Sequence, residues 1–251
     1  MSLDFLYSHG AAARERFDPV GRTSIEHGAR EAGARFEVRD GWNVAVSYGS
    51  PNAEAVACVD TAGWADVSHL GKLELQAREQ DLATIVAAVA DGARLELGSA
   101  TRAAEAWWCP LTTRRALVIC EPSGLAGLRQ KLTEASSRAS APVSVIDVTT
   151  LFAAMTLVGP LAREVFARFC AADLRPAVTP LHGLRPGSIA RQPGIILRED
   201  DDRFLFLFGW AIGHYMWTTV QDAGSHLGGM PVGLEALAAL GEPAREAASR
   251  A

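Results

Sequence analysis

Asp66, Ser68 and His69 lie within four residues, and a carboxylate, a hydroxyl and an imidazole are the parts of a nucleophilic triad. On a strand, however, neighbouring side chains point to opposite faces, and triads are assembled from separated segments. The spacing predicts a turn entering a strand, with His69 making a structural hydrogen bond. A second concentration of chemistry, Glu199-Asp200-Asp201-Asp202, offers oxygens to a calcium ion. It lacks the glycine and the distant bidentate glutamate of an EF-hand loop, so it reads as a solvated hairpin turn. Trp107 and Trp108 are adjacent, so on a strand one faces the core. The other is a candidate for stacking on a ligand or for a protein interface. His214, Tyr215 and Trp217 on a helix predict packing. Gly228-Gly229 is a turn, and no glycine-rich phosphate cradle is present.

Positioning these groups requires regular elements, and the sequence shows a weak internal duplication. The first copy opens at Asp66-Val67-Ser68 and runs into a strand at Lys72 to Gln76. A helix follows with Leu82, Ile85, Val86 and Val89 at amphipathic spacing. Strands around Ala104 to Trp108 and Arg115 to Cys120 precede a helix striped by Leu125, Leu128 and Leu132. The second copy opens at Asp147-Val148-Thr149. It continues with a strand at Ala153 to Val158 and a helix starting at Gly159-Pro160, proline being favoured at the first helical position. Strands at Ser188 to Leu197 and Arg203 to Phe208 are joined by the acidic turn, and a helix from Ala211 to Asp222 closes the unit. Each copy reads strand, helix, strand, strand, helix. The fold class is therefore α+β: two ferredoxin-like β-α-β-β-α halves with antiparallel sheets. The expected organisation is an N-terminal arm over 1–20, a first half over 21–138, a second half over 139–240 and a tail over 241–251.

Bulk composition excludes several classes. The 251 residues are 49% hydrophobic and 21% charged, as in ordinary globular chains. A net charge of −5 argues against nucleic acid or an anionic membrane as partner. The apolar run from Phe204 to Gly213 is too short to span a bilayer. Cys58, Cys109, Cys120 and Cys170 form neither C-x-x-C pairs nor zinc spacings. These readings predict a reduced, cytoplasmic protein with no metal and no nucleotide motif.

Gly33-Ala34-Arg35-Phe36, Gly41-Trp42, Val46-Ser47-Tyr48 and Gly63 through Lys72 follow one another at the spacings of folate-dependent aminomethyltransferases. Together they resemble the amino-terminal part of the glycine-cleavage T-protein family. The second half, through Asp147-Val148-Thr149, Leu157 to Arg163, Asp173-Leu174-Arg175-Pro176 and Tyr215-Met216-Trp217, resembles the gamma subunit of heterotetrameric sarcosine oxidase. The resemblance implies the aminomethyltransferase folate-binding fold lacking the C-terminal β-barrel. It also implies a central channel for tetrahydrofolate. Leu70 then stands at the apolar position that approaches the pterin ring, Trp108 is a second candidate wall, and Asp201 stands for a carboxylate of the Gly-Tyr-Thr-Gly-Glu stretch.

The family's catalytic carboxylate lies in a stretch like N-x-x-G-G-x-x-D. The corresponding region here, Trp107 to Arg115, holds no carboxylate, and a proton carrier must come within about 3 Å of its target. No catalytic residue is assigned. The resemblance then implies an accessory, catalytically degenerate subunit of a sarcosine-oxidase-like amine demethylase, with flavoprotein oxidase or dehydrogenase subunits as partners. The alternative it leaves is a stand-alone tetrahydrofolate-dependent methyl- or aminomethyltransferase with a rearranged site.

Overall fold

The computed structural model describes residues 19–240. The tail expected over 241–251, and all but the last two residues of the arm expected over 1–20, lie outside the described residues. The strands are β1 (Arg35–Arg39), β2 (Trp42–Ser47), β3 (Gly63–Asp66), β4 (Gly71–Gln76), β5 (Thr101–Ala103), β6 (Ala106–Thr112), β7 (Arg115–Cys120), β8 (Ser144–Asp147), β9 (Phe152–Val158), β10 (Leu184–Ile189), β11 (Gln192–Asp200), β12 (Arg203–Gly209) and β13 (Met230–Pro231). The α-helices are α1 (Glu26–Glu31), α2 (Pro51–Asp60), α3 (Glu79–Val89), α4 (Leu125–Ser136), α5 (Ala162–Ala167) and α6 (Gly213–Ser225). A further helical segment covers 234–240.

Two sheets form the body, in the orders β5-β6-β7-β4-β8 and β10-β11-β12-β9-β3-β13, beside a β1-β2 ribbon. All pairings are antiparallel except β13 with β3. The first five strands of each order correspond, so the duplication read in the sequence is present in space. Each half lends a strand to the other: β3 pairs with β9, and β8 pairs with β4. The chain therefore crosses between the sheets at Val67–Leu70 and again at Val148–Leu151.

Alternation along the strands explains the layering. On β7, Ala116 and Val118 join the core under α3 and α4, whereas Leu117 and Ile119 face the other sheet. On β12, Phe204, Phe206 and Phe208 pack beneath α5 and α6, whereas Leu205 and Leu207 face back. Period-2 patterning with both faces apolar is what a sheet buried on both sides requires. The result is helix, sheet, sheet, helix, with a core between the sheets.

Several element boundaries differ from the sequence reading, three of them for a local reason. Ala104 and Glu105 form a hairpin tip at φ 47° and 60°, and the strand begins at Ala106. The expected strand from Ser188 to Leu197 is a hairpin, turning at Ala190 and Arg191, both at positive φ as a type I′ turn demands. The helix expected from Gly159-Pro160 starts at Ala162. Gly159 sits at φ 123°, and a Cβ there would meet the Thr61 carbonyl at 2.5 Å. The glycine therefore serves a close turn, and the proline follows it into that turn.

Candidate functional site

Between the two sheets lies a cavity of about 450 Å³. Its walls come from the first crossover (Val67, His69, Leu70), from the five-stranded sheet (Trp107, Ile119, Cys120), from the six-stranded sheet (Thr156, Glu199, Arg203, Leu205) and from segment 234–240. Local chemistry fixes the crossover. The Asp66 carboxylate accepts from the Ser68 amide at 2.9 Å and from the Thr23 hydroxyl. Ser68 Oγ accepts from the Ala154 amide at 3.0 Å, tying the turn to β9. Gly233, which introduces segment 234–240, donates its amide to the buried Glu54 at 2.7 Å. A Cβ at Gly233 would meet the Val46 carbonyl at 2.0 Å, so only glycine lets that segment approach β2.

Leu70 lines the cavity, as expected. His69 lines it too and is 8% exposed, and its Nδ1 has no partner among the described residues. Burial, with smaller contributions from Lys72 and Arg39, holds the imidazole down to about 4. His69 is therefore neutral at physiological pH. Thr156 is 1% exposed and its Oγ1 is also unpartnered. Buried polar atoms are almost always satisfied in native proteins. Both residues belong to the walls of the cavity.

Trp108 is not at the cavity. It packs under α3 and α4 with Leu73, Leu82 and Val118, and its Nε1 donates to the Ala103 carbonyl at 3.0 Å. The aromatic wall is Trp107, whose side chain points the opposite way along β6. Its Nε1 donates to Glu199 Oε1 at 3.0 Å, the Arg102 guanidinium lies 5.4 Å from its ring, and His182 meets it edge-on at 5.1 Å.

Asp201 is likewise displaced from the site. Its side chain is 84% exposed and pairs with Arg198 Nη2 at 2.7 Å. The buried Arg198 also donates to the Thr179 carbonyl, so this ion pair fastens the hairpin rather than the cavity. The carboxylate that reaches the cavity from this acidic stretch is Glu199, at 15% side-chain exposure. Its Oε2 accepts from Arg203 Nε at 3.1 Å. Sequence parity contained this signal: Ile195 and Leu197 face the other sheet, and Glu199 continues the same alternation. The stretch Trp107 to Arg115 indeed supplies no acid, but the opposite sheet brings one to within hydrogen-bond distance of Trp107.

Other candidates fall outside the site. Tyr215 donates to the Ala190 carbonyl, and Trp217 stacks on Tyr48 at 6.1 Å, a packing role as expected. All four cysteines are free and buried, and burial pushes the Cys120 thiol up to about 11, so it is no nucleophile. Among the described residues no group of three or more His, Cys, Asp or Glu side chains is placed to hold a metal, and no helix is long and apolar enough to cross a membrane. The cavity therefore combines apolar walls with polar atoms at its sides. That composition is general to small-molecule pockets. Both Glu199 oxygens already accept hydrogen bonds, which orients the carboxylate.

No protein-family model matches the chain. An aminomethyltransferase of Streptomyces coelicolor is 26% identical over 231 aligned positions, covering 85% of this chain and 60% of that protein. A "Probable aminomethyltransferase" of Halobacterium salinarum is 37% identical over 84 residues, 33% of this chain and 23% of that protein. The chain thus spans less than two thirds of these relatives. Among solved structures, the glycine cleavage system aminomethyltransferase T from Bartonella henselae has a TM-score of 0.72 at 17% identity, covering 86% of this chain and 60% of that one. A chain of the heterotetrameric sarcosine oxidase from Corynebacterium sp. U-96, in complex with pyrrole 2-carboxylate, has a TM-score of 0.60 at 21% identity, covering 70% of this chain and 92% of that one. The chain thus shares the α+β fold of the glycine-cleavage T protein and of a sarcosine-oxidase chain, and its sequence is similar to that of aminomethyltransferases.

Proposed function

We propose that this chain is an accessory, catalytically degenerate aminomethyltransferase-like subunit of a heteromeric, sarcosine-oxidase-like amine demethylase, retaining a pocket for a tetrahydrofolate-type ligand. The observation that carries the reading is the wall at β6. The stretch from Trp107 to Arg115, where the resemblance puts a transferase's acid, holds no carboxylate, and the nearby carboxylate of Glu199 is held by Trp107 and Arg203 on its two oxygens. A group already engaged on both sides anchors a ligand better than it relays a proton. The retained pocket is supported by the cavity between the sheets, with its apolar and polar lining. Leu70 and Trp107 would form the apolar walls for a pterin. When bound, tetrahydrofolate supplies the nitrogen that accepts a one-carbon unit. Heteromeric assembly is supported by the likeness to a chain of a heterotetrameric sarcosine oxidase.

Co-expression with flavoprotein amine-oxidase subunits from the same source organism tests this. The expected result is a complex of fixed stoichiometry that demethylates a secondary amine, while the isolated chain turns over nothing. A monomeric chain that forms no complex contradicts it. The presence of Glu199 inside the cavity favours a second reading, a stand-alone transferase using that carboxylate. Turnover by the isolated chain, lost in Glu199→Gln, would establish that reading instead.

A further inference from the structure

Lys72 on β4 is fully buried, and its ammonium meets backbone carbonyls. Nζ donates to Ser68 O at 2.9 Å, to Leu70 O at 2.8 Å and to Thr149 O at 3.5 Å. Two of these acceptors belong to the crossover that brings His69 and Leu70 to the cavity. The second half shows what the same backbone needs without that cavity. Val67 donates to the Ala154 carbonyl at 3.0 Å, and Val148 donates to the Lys72 carbonyl at 2.9 Å. The Ala154 amide donates to Ser68 Oγ, and the Lys72 amide donates to Thr149 Oγ1. Ala154 therefore occupies the place of Lys72, and a methyl group suffices there. The matching turn ends in Thr150 and Leu151, both exposed. Burying an ammonium costs several kcal/mol, and the scaffold alone does not require it.

We propose that Lys72 is a positioning residue: its ammonium holds the His69–Leu70 turn in the shape that receives the ligand, and affinity is lost as the ammonium gives up its proton. This rests on the reading of the cavity as a ligand site. A neutral amine has two N–H bonds and a lone pair to set against three carbonyl oxygens, and its hydrogen bonds are roughly half as strong as charge-assisted ones. Burial lowers Lys72 to about 8, with Asp66, Asp147 and Cys120 acting the other way. The titratable groups facing it are Asp66 from β3, His69 from the turn, Cys120 from β7 and Asp147 from β8. His69 is already neutral and Cys120 still protonated in the window around pH 8. Asp66 is raised by burial, so a Lys72 variant must separate its titration from that of the amine.

Affinity and stability run in opposite directions. Because the folded chain gives up this proton near pH 8 and the unfolded chain near 10.5, the contribution of Lys72 to stability rises with pH across that window. A purely structural role leaves affinity level or rising there.

The test is binding of 5-formyltetrahydrofolate to the full chain by calorimetry at about pH 7 and about pH 9.5, where losing one charge-assisted bond predicts roughly tenfold weaker binding. Lys72→Met should bind about as weakly at both pH values, and Lys72→Arg should keep its affinity at the higher one. Wild-type affinity independent of pH, or a pH dependence that survives in Lys72→Met, overturns the proposal. Hydrogen exchange without ligand reads positioning directly. In Lys72→Met the Leu70 amide, bonded to Val67 O at 3.1 Å, should exchange about tenfold faster while β9 amides are unchanged. Unchanged protection at Leu70 overturns the proposal even if the probe binds nowhere, a result that by itself removes the pocket reading and not the role of Lys72.

Discussion

Asp66-Val67-Ser68 and Asp147-Val148-Thr149 close the same turn, the carboxylate in each accepting from the amide two residues on at 2.9 Å. Each then sends its chain from one sheet to the other, the first exchanging hydrogen bonds with Ala154 of β9 and the second with Lys72 of β4. The first continues into buried His69 and half-buried Leu70 over a cavity, with an ammonium beneath. The second continues into exposed Thr150 and Leu151, with a methyl group in the ammonium's place. The scaffold is symmetric and its occupation by charge is not. Chemistry in a duplicated fold can thus be located by asking where two equivalent positions stop agreeing. The same division recurs within β6, where Trp108 belongs to the scaffold and Trp107 to the site.

The comparison can be broken at several points. The largest expected effect is in β6: Trp108→Ala should cost about 4 kcal/mol in chemical denaturation, since it empties a fully buried indole site. Trp107→Ala, facing an existing cavity, should cost less than half as much. Equal losses would mean the two faces are wrongly assigned. Next is acid. His69 has its folded value lowered from 6.5 to about 4, so the unfolded chain takes up a proton first as pH falls. Its contribution is present above 6.5 and lost towards 4, by roughly 3 kcal/mol on this shift alone. His69→Gln should flatten that part of the stability curve, and an unchanged slope would place the titration elsewhere.

Asp66→Ala, which strands the buried Ser68 amide and Thr23 hydroxyl, should cost about 2 kcal/mol. Asp147→Ala at the exposed equivalent should cost well under about 1 kcal/mol, and matching values would erase the asymmetry. A last pair of substitutions tests the symmetry itself. Ser68→Ala and Thr149→Val each orphan one partner amide, at Ala154 and at Lys72. Each should lose about 1 kcal/mol, and thermal melts that differ widely would show that the crossovers are not equivalent.

Much of the architecture was legible because both faces of each sheet are apolar, so alternation and helical spacing located β4, β7, β9, β12 and the helices that cover them. The hairpin over 184–200 was not. Its turn residues Ala190 and Arg191 take left-handed backbone without glycine or asparagine, so the sequence carries no turn signature there. Gly159-Pro160 looked like a helix start because proline suits that place, whereas the carbonyl of Thr61 makes it a close turn. At the site, Leu70 was placed by motif. Choosing Trp107 over Trp108 requires knowing which face of the sheet meets the second sheet, a tertiary fact. Glu199 lies within reach of parity, whereas the motif points to Asp201, whose charge is engaged by Arg198. The pairing of Lys72 with a crossover appears only when two turns 81 residues apart, at Asp66 and Asp147, are seen side by side.

The central claim is that this cavity holds a folate-type ligand without an acid free to complete a transfer. It is tested most directly by incubating the purified chain with tetrahydrofolate and formaldehyde, a one-carbon unit already at the oxidation level of the product and condensing with loss of water, and measuring both ligand binding and the rate of methylenetetrahydrofolate formation. Saturable binding with no product above the protein-free rate is the predicted result. Product formation that disappears in Glu199→Gln would contradict it.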